Sequence, residues 1–373
     1  MKRKIRLATL FSGIGAMEFA LRRLNVDYEI VFACDNGERQ IDINPKKELQ
    51  IVRSLKTAIE KKEYVDNLYK SKTRRTNFVQ ISYLANYKDK LKDNLFFQDI
   101  QLLDGTNFTG KVDLLVGGSP CQSSSIVGSQ EGLNDDRGNL FRDFVRVVSE
   151  VQPKVFIFEN VRGLKTHNRG ETWKIIYNSF KNIGYEIKHE ILNASDFGIP
   201  QTRRRLFVVG FREEKGFEFT TKIEDKNSYT MQDFTIERND LGSVTYNEQG
   251  EIVLKNIPGK IDEKYFLTEK LYNYVMKGGT KSFYQKPEID LPIARTILST
   301  MGNRHRAGID NYLTVNGKVR MLSEREALRL MGFTDDFRLV VSRAQGYKQA
   351  GNSIVVDVLM SIFKDIERTG VFE

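Results

Sequence analysis

Several residue types are scarce in this chain, and each scarcity excludes a class of protein. Its 373 residues contain two cysteines, Cys34 and Cys121, which are too few for the disulfide framework of a small secreted domain and fit a reducing cytoplasm. These cysteines and three widely spaced histidines form no metal-ligand cluster in the sequence, so we predict no metal site. No apolar run approaches the roughly 20 residues that a membrane span requires.

The composition that is present describes a folded protein with a basic surface. Hydrophobic residues make up 40% of the chain and charged residues 29%, which is typical of globular domains rather than of disordered segments. The formal net charge is +9. A basic excess of this kind favours a polyanionic partner, and it is equally compatible with a lysine-rich surface that only keeps the protein in solution.

The first 212 residues alternate between strand-like and helical patterns. Residues 5–11 form an apolar run, a glycine turn follows, and residues 16–24 have helical spacing before a second apolar run at 28–34. Further strand-like runs lie at 95–99, 112–116, 155–158, 185–192 and 205–210. This alternation predicts an α/β fold built on a doubly wound, mostly parallel sheet.

Two segments depart from this alternation. Residues 43–93 are rich in lysine and have apolar residues at helical spacing, which predicts a helical insertion on the sheet's edge with a solvated surface rather than a nucleic-acid patch. Residues 213–300 are polar and rich in turn signals, so we predict a second, smaller domain there. Residues 301–373 return to the first domain, with Ser323 and Glu326 as the capping box of a helix.

A glycine turn after the first strand predicts a cofactor site. The segment Phe11-Ser-Gly-Ile-Gly15 lets the backbone approach a ligand, and the helix that follows directs its positive N-terminus towards that ligand. Asp35 follows the second strand, where a carboxylate can accept both ribose hydroxyls of a nucleoside. The combination favours a nucleoside cofactor over a purely structural turn.

Cys121 has the sequence surroundings of a reactive cysteine. Free cysteines are usually small buried hydrophobic residues, and Cys34, at the end of an apolar strand, fits that role. Cys121 instead follows a Gly-Gly-Ser-Pro turn and precedes polar residues at 122–125, a composition that is not typical of a core. We predict that the turn presents Cys121 in a pocket as a partly ionised nucleophile.

An acid and two arginines are the other candidates for chemistry. Glu159 follows the apolar run at 155–158, at the mouth of a cleft where burial raises its pKa and lets it hold a proton near neutral pH. The alternative is a helix-capping acid beside Asn160. Arg203 and Arg205 share one face of an extended segment, which suits an anion or a substrate carbonyl or, alternatively, a solvated basic rim.

Taken in chain order, these segments resemble the motifs of the C5-cytosine DNA methyltransferases, and the resemblance extends over nearly the whole chain. Six motifs carry the resemblance: Phe11-Ser-Gly-Ile-Gly15, Ser119-Pro-Cys-Gln122, Glu159-Asn-Val161, Gln201-Thr-Arg-Arg-Arg205, Arg320 to Phe333, and Tyr347 to Ile354. Three positions depart from the family pattern, since Ala16 replaces a second glycine, Asn36 an aromatic residue and Ser124 a phenylalanine. None of these changes removes a group that the reaction requires.

The resemblance implies a DNA (cytosine-5-)-methyltransferase that uses S-adenosylmethionine (AdoMet) and releases S-adenosylhomocysteine. Cys121 would add to C6 of a flipped-out cytosine and so activate C5 for the methyl group. Protonated Glu159 would hydrogen-bond N3 and the amino group of the base. Arg203 would hold the base carbonyl, and Arg205 would support Glu159 or the ring contact.

The resemblance also implies residues for the cofactor and for DNA. Those expected at AdoMet are Phe11, Gly13 and Gly15 for the methionine, Asp35 for the ribose, Asp99 and Ile100 for the adenine, Leu140 beside them, and Asn352 and Ser353 closing the site. Those expected at DNA are Gln122, Ser125, Arg295, Thr296, Arg304 and Arg306. The segment 213–300 is expected to be a recognition domain that faces the major groove.

The resemblance further implies that the partner is double-stranded DNA, bound by a monomer at the nucleoid in the cytoplasm, and that a restriction endonuclease for the same site is a possible functional partner. Two alternatives stay open. The first is the same chemistry on transfer RNA, and the long segment 213–300 favours DNA over it. The second is an inactive AdoMet-fold protein that only binds nucleic acid, and the intact Cys121, Glu159 and arginine pair argue against it.

Overall fold

A seven-stranded sheet forms the centre of the protein. The computed structural model describes residues 4–119, 140–224, 229–280, 283–301 and 306–373. The strands of the sheet are Ile5–Leu10 (β1), Tyr28–Cys34 (β2), Phe96–Phe97 (β3), Leu114–Gly117 (β4), Val155–Val161 (β5), Glu186–Asn193 (β6) and Arg204–Phe211 (β7). Their order across the sheet is β3-β2-β1-β4-β5-β7-β6.

Most strand pairs in this sheet are parallel. β1 runs parallel to β2 and β4, β2 to β3, and β4 to β5, whereas β7 runs antiparallel between β5 and β6. The predicted α/β fold with a mostly parallel sheet is confirmed. The carboxyl ends of β1, β2, β4 and β5 therefore meet at one edge, which is where open α/β sheets bind ligands.

Helices cover both faces of the sheet. Within the described ranges they are Ala16–Arg23 (α1), Pro45–Ser54 (α2), Ala58–Lys72 (α3), Phe78–Tyr87 (α4), Leu140–Val151 (α5), Glu171–Asn182 (α6), Glu269–Val275 (α7), Glu324–Arg329 (α8), Arg343–Asn352 (α9) and Val356–Arg368 (α10). The predicted capping box is confirmed, because the Ser323 hydroxyl and the Glu326 carboxylate each accept from the other's backbone N–H. None of these helices has both the length and the apolar composition needed to cross a membrane.

The apolar core consists of two layers, one on each face of the sheet. Leu7 of β1 belongs to the layer that holds α1 and α10, and the next residue, Ala8, belongs to the layer that holds α5 and α6. Aromatic rings pack against one another in the second layer, for example with centroid distances of 5.0 Å for Phe144–Phe158 and 5.7 Å for Phe158–Phe180. The loops at the carboxyl ends of the parallel strands therefore follow strands that are closely packed on both faces.

The predicted insertion, residues 43–93, contains α2, α3 and α4 and leads into the edge strand β3. Tyr69 of α3 is buried, as are Tyr83 and Tyr87 of α4, while most lysines of the segment are exposed. The interpretation of this segment as a solvated surface is therefore wrong for one side of α3 and α4, because aromatic residues there pack into the domain.

Three short hairpins follow the sheet in the sequence. Phe217, Phe234 and Val244 belong to the core layer that holds α1 and α10, so the chain does not leave the main core at residue 213. A separate apolar cluster forms around Tyr265 and Val275. A smaller domain with the bounds 213–300 stays a prediction. The hairpins are Val244–Tyr246 (β8) with Ile252–Leu254 (β9), Gly279–Thr280 (β10) with Phe283–Tyr284 (β11), and Tyr312–Val315 (β12) with Lys318–Met321 (β13).

The C-terminal segment packs back onto the start of the chain. Arg23 of α1 and Asp357 of α10 form a buried ion pair with 2.8 Å between Nη1 and Oδ2. The same guanidinium donates to the carbonyl oxygens of Gly332 and Gly250. Because every one of these groups is buried, the pair is strongly constrained in its geometry, and α10 is held against α1.

Candidate active site

The turn between β1 and α1 has the backbone of a ligand-binding loop. The backbone φ angles of Phe11, Gly13 and Gly15 are 50°, 54° and 80°. Residues other than glycine rarely adopt this left-handed region. A Cβ on Gly15 would lie 2.2 Å from Cε2 of Tyr87, whose hydroxyl donates to the Gly15 carbonyl at 2.8 Å. Only glycine therefore fits at position 15, and the hydrogen bond from Tyr87 of α4 holds the turn in place.

The Asp35 carboxylate is held against this turn. Its two oxygens accept hydrogen bonds from the backbone N–H groups of Gly13 at 2.9 Å and Gly37 at 2.8 Å. Burial raises the pKa of Asp35, and these two hydrogen bonds lower it by a smaller amount. The two sequence signals for a nucleoside, the glycine turn and the carboxylate after β2, are therefore in direct contact.

A crevice opens between the glycine turn, the end of β4 and the C-terminal segment. Its lining includes four of the predicted cofactor residues: Phe11, Gly13, Asn352 and Ser353. Asn352 also reaches the loop after β2, because its Nδ2 donates to Oε1 of Glu38 at 2.8 Å. The first and the last motif of the chain thus form one pocket.

The residues predicted at the adenine form a second group, after β3 and outside the lining of that crevice. Asp99 accepts a hydrogen bond from the backbone N–H of Gln101 at 2.9 Å and another from the Tyr69 hydroxyl at 2.7 Å. Burial raises the pKa of Asp99, and the bond from Tyr69 is the larger of two that lower it. Ile100 belongs to the core layer that holds α5 and α6, and Leu140 packs against that layer.

Glu18 is a buried acid at the crevice that was not predicted from the sequence. Its Oε1 accepts from the Thr9 hydroxyl at 2.8 Å and from the Tyr83 hydroxyl at 2.5 Å. Its Oε2 has no hydrogen-bond partner among the described residues, and burial raises the pKa of the carboxyl. The available signal was a carboxylate in the first turn of a helix whose other residues on that side are apolar.

Glu159 lies near the carboxyl end of β5, within 3.2 Å of Nε of Arg205. It is part of a strand, so the interpretation as a helix cap is wrong. Burial raises the pKa of Glu159, and Arg205 and then Arg203 lower it by smaller amounts. Gly118 permits the close approach of the preceding loop, because a Cβ there would lie 2.9 Å from Oε2 of Glu159.

Arg203 is buried and donates hydrogen bonds to backbone carbonyls. Its guanidinium donates to the carbonyl oxygens of Ile297 at 3.0 Å, Gly351 at 2.9 Å and Ser353 at 2.8 Å. Burial and the neighbouring Arg205 lower its pKa to about 9. These bonds engage both outer nitrogens, while Nε has no hydrogen-bond partner among the described residues. The role of Arg203 at the base carbonyl stays a prediction. The strand pattern could not reveal the three carbonyls, because they come from segments about 100 and 150 residues away.

Four predicted site residues, Cys121, Gln122, Ser125 and Arg304, lie outside the described residues.

Cys34 is buried in the core layer with α5, and burial raises the pKa of its thiol. Its predicted role as a packing residue is confirmed, and its thiol is protonated at neutral pH.

Among the other residues predicted at DNA, Thr296 contacts the segment that carries Arg205. The Thr296 hydroxyl donates to the carbonyl oxygen of Thr202 at 2.6 Å. Arg295 is ion-paired with Glu288, with 3.1 Å between Nη2 and Oε2, so a phosphate or base would compete with that carboxylate. Arg306 is exposed.

Comparisons of the sequence with known proteins identify relatives. The family model described as C-5 cytosine-specific DNA methylase matches residues 52–368. The type II methyltransferase M.SsoII of Shigella sonnei is 33% identical over 305 residues, which cover 78% of this chain and 72% of that protein. The type II methyltransferase M.HhaI of Haemophilus parahaemolyticus is 36% identical over 265 residues, which cover 68% and 75%.

Solved structures share the fold. The S. pombe Dnmt2 methyltransferase aligns with a TM-score of 0.65 and 20% identity over 97% of this chain and 98% of its own. A putative DNA modification methyltransferase from an E. coli prophage aligns with a TM-score of 0.60 and 20% identity over 98% and 99%. The family match over most of the chain and the relatives above 30% identity go further: this chain belongs to the C-5 cytosine-specific DNA methylase family.

Proposed function

We propose that this DNA (cytosine-5-)-methyltransferase transfers the methyl group of AdoMet to C5 of a flipped-out cytosine in a specific duplex site, with Cys121 as the nucleophile. The observation that carries the proposal is the contact between Glu159 and Arg205 beside the two glycines that lead to Cys121. A buried acid with a raised pKa can keep its proton near neutral pH, and an adjacent guanidinium can bind a carbonyl oxygen.

Ser119, two residues before Cys121, supports the proposed meeting of nucleophile and acid. Its carbonyl accepts a hydrogen bond from Nδ2 of Asn160 at 3.0 Å, and Asn160 follows Glu159 in β5. Two residues of extended chain span about 7 Å at most. The segment that leads to Cys121 is therefore hydrogen-bonded to the strand that carries Glu159, which supports the proposal.

The proposed chemistry begins with the Cys121 thiolate. It forms a bond to C6 of the cytosine, and the electron pair of the C5–C6 double bond moves to C5, which becomes a nucleophile. AdoMet supplies a methyl group on a positively charged sulfur. Protonated Glu159 hydrogen-bonds N3 and stabilises the electron-rich ring. Loss of the C5 proton and of the thiolate from C6 then restores the aromatic base and frees Cys121.

Arg205, rather than Arg203, takes the base carbonyl in this proposal. Arg205 contacts Glu159 directly, so a ring bound to that acid lies within reach of the same guanidinium. Arg203 acts as a positioning residue, because its bonds to the carbonyls of Gly351 and Ser353 hold the C-terminal motif at the crevice.

The buried acids at the turn and after β3 fit AdoMet chemically. The Oε2 atom of Glu18, which has no hydrogen-bond partner in the described part of the chain, suits the ammonium group of the methionine. Asp35 keeps lone pairs for ribose hydroxyls, and Asp99 keeps lone pairs for the adenine amino group. Asn352 and Ser353 would close the methionine side.

Duplex DNA is the proposed substrate, and 213–300 the proposed recognition domain. Arg295, Thr296 and Arg306 are its proposed contacts among the described residues, and Gln122, Ser125 and Arg304 complete the set. Because the relatives M.SsoII and M.HhaI are type II methyltransferases, we also propose that a restriction endonuclease for the same site accompanies this enzyme. The enzyme would act as a monomer in the cytoplasm.

The first test locates the target site. Bisulfite sequencing of DNA from cells that express the wild-type protein should reveal methylated cytosines in one short sequence. The variant Cys121→Ser, expressed in the same cells, should leave no such pattern. A pattern that persists in Cys121→Ser would remove the nucleophile from the proposal.

The second test traps the intermediate on that site. A duplex with 5-fluorocytosine at the target position cannot lose a proton from C5, so the adduct with Cys121 should survive denaturing electrophoresis when AdoMet is present. Transfer RNA with tritiated AdoMet is the control for the alternative substrate. Label in transfer RNA but not in the cognate duplex would overturn DNA as the substrate.

A further inference from the structure

Four hydrogen bonds join the Lys-rich insertion to four residues of the proposed AdoMet site: Asp99, Asp35, Glu18 and Gly15. Its residues 43–93 contain 13 lysines and arginines against 6 aspartates and glutamates, which explains why the sequence suggests only a solvated surface. The buried side of α3 and α4 is different. The hydrogen bonds are Tyr69 to Asp99 (2.7 Å), Asn77 to the Asp35 carbonyl (2.9 Å), Tyr83 to Glu18 (2.5 Å) and Tyr87 to the Gly15 carbonyl (2.8 Å).

We propose that α3 and α4 are a built-in support for the AdoMet site, and that Tyr69 is a positioning residue that orients Asp99 towards the adenine amino group. The inference rests on the proposed function, because it names the residue that makes one proposed cofactor contact effective. It gives the insertion a role in cofactor affinity that its surface charge does not suggest.

Asp99 depends on Tyr69 because it is buried and forms no salt bridge with any residue that the structure describes. Tyr69 is the side-chain donor to Oδ2, and the backbone N–H of Gln101 is the donor to Oδ1. An ionised carboxylate has about four lone-pair sites, so one donor on each oxygen fixes its plane and leaves sites for a ligand donor. Without the hydroxyl, one buried oxygen loses its partner and the carboxylate is free to rotate.

Tyr69 is itself held in place. The guanidinium of Arg39 lies over its ring, 4.8 Å from the centroid, and also donates to Oε1 of Gln98, the residue before Asp99. Val65, one turn earlier in α3, packs with Tyr69 against Leu102. The helix and the loop after β3 therefore behave as one unit around the carboxylate.

Helix α3 offers a matched control for the test. Tyr64 lies on the same helix, and its hydroxyl also donates to a carboxylate, Oε2 of Glu48, at 2.6 Å. Glu48 belongs to α2 and is not a proposed cofactor residue. The changes Tyr69→Phe and Tyr64→Phe thus remove the same atom and the same type of hydrogen bond, and only the first removes it from Asp99.

The experiment measures AdoMet binding by calorimetry, and KM and kcat with the cognate duplex, for the wild type and both variants. We expect Tyr69→Phe to weaken AdoMet binding and to raise the KM for AdoMet about tenfold, as loss of a hydrogen bond to a buried charge does. The KM for DNA should not change. Tyr64→Phe should match the wild type in every constant.

An AdoMet analogue whose purine lacks the 6-amino group separates positioning from a general loss of structure. If Tyr69 acts through Asp99 on that amino group, Tyr69→Phe should weaken binding of AdoMet much more than binding of the analogue. Equal weakening of both ligands, or AdoMet binding that is the same in Tyr69→Phe and Tyr64→Phe, would overturn the inference. A wild-type protein that binds no AdoMet would instead overturn the proposed function, and this inference with it.

Discussion

Glu159 is a single residue whose surroundings set its protonation. Burial raises its pKa, and the nearby Arg205 and Arg203 lower it less. Since the proposed mechanism needs the protonated carboxyl, kcat should fall as the pH rises through this raised pKa. Glu159→Gln removes the acidic proton, so kcat at neutral pH should fall by about 10²-fold or more, and the residual activity should lose that alkaline decline. Steady-state kinetics from pH 6 to about 9 would measure both effects.

A second glutamate on the same sheet serves as the control. Glu190 lies on β6, where its carboxylate accepts from the backbone N–H of Ile191 at 2.8 Å. Glu190→Gln makes the same chemical change away from the proposed base pocket and should keep the wild-type pH profile. A Glu159→Gln enzyme with wild-type kcat would refute the role of this acid.

Glu18 connects cofactor affinity with stability in one side chain. Its pKa in the folded protein is raised by burial above the ordinary value of about 4.3. The folded state therefore binds a proton that the unfolded state has released, so the contribution of Glu18 to stability is full below its ordinary pKa and is lost as the pH rises through the raised value. Glutamine cannot ionise and should escape this loss.

The variant Glu18→Gln should therefore gain stability relative to the wild type as the pH rises, and at the same time bind AdoMet about tenfold more weakly, because the ammonium loses a charged acceptor. Urea unfolding at several pH values measures the first effect, and calorimetry measures the second. A difference in unfolding free energy that does not vary with pH would show that the carboxyl is already ionised in the folded apo protein.

At the scale of elements, the β1–α1 turn and α4 form one unit through Gly15 and Tyr87. Gly15→Ala combines a strained φ of 80° with a Cβ that would lie 2.2 Å from the tyrosine ring. We expect a loss of about 1–2 kcal/mol from the backbone and about 1–3 kcal/mol more from the overlap, with loss of AdoMet binding. Urea denaturation measures the total.

Gly184 separates the two contributions. It follows α6 with a φ of 85°, and a Cβ there would meet nothing within 4 Å. Gly184→Ala should cost only the backbone part, about 1–2 kcal/mol, and should leave AdoMet binding unchanged. The double variant Gly15→Ala/Tyr87→Ala should be less destabilised than the sum of its single variants, because removing the ring removes the overlap. Additive effects would disprove the coupling between the turn and α4.

Elements also mark the limit of what the sequence could predict. The strands, the glycine turn and the capping box of Ser323 depend on patterns within a few residues, and these predictions agree with the structure. The sequence did not predict the antiparallel direction of β7, because a buried strand has the same apolar pattern in either direction. The buried side of α3 was missed because exposed lysines surround Tyr69 in the sequence, and its partner, Asp99, is 30 residues away.

At the scale of the whole molecule, the proposed AdoMet site is built from both ends of the chain. The crevice combines the β1–α1 turn with Asn352 and Ser353. Two buried arginines hold the C-terminal segment there: Arg23 through Asp357, and Arg203 through the carbonyl of Ser353. The family resemblance predicted that the last motif returns to the cofactor, but the composition of 301–373 alone did not reveal these two attachments.

This construction predicts that AdoMet stabilises both ends of the chain together. A ligand that binds only the folded protein adds about 2.7 kcal/mol at a concentration of 100 times its Kd, and the gain should appear where the ligand bridges segments. In hydrogen exchange, AdoMet should therefore slow the amides of α1 and of α9 by similar factors, while α6, which lies on the other face of the sheet, should change little. Asp357→Asn leaves Arg23 buried without its charge partner, so it should cost about 3–5 kcal/mol of stability and weaken the protection of α9 by AdoMet. Protection confined to α1 would mean that the C-terminal motif does not take part in binding the cofactor.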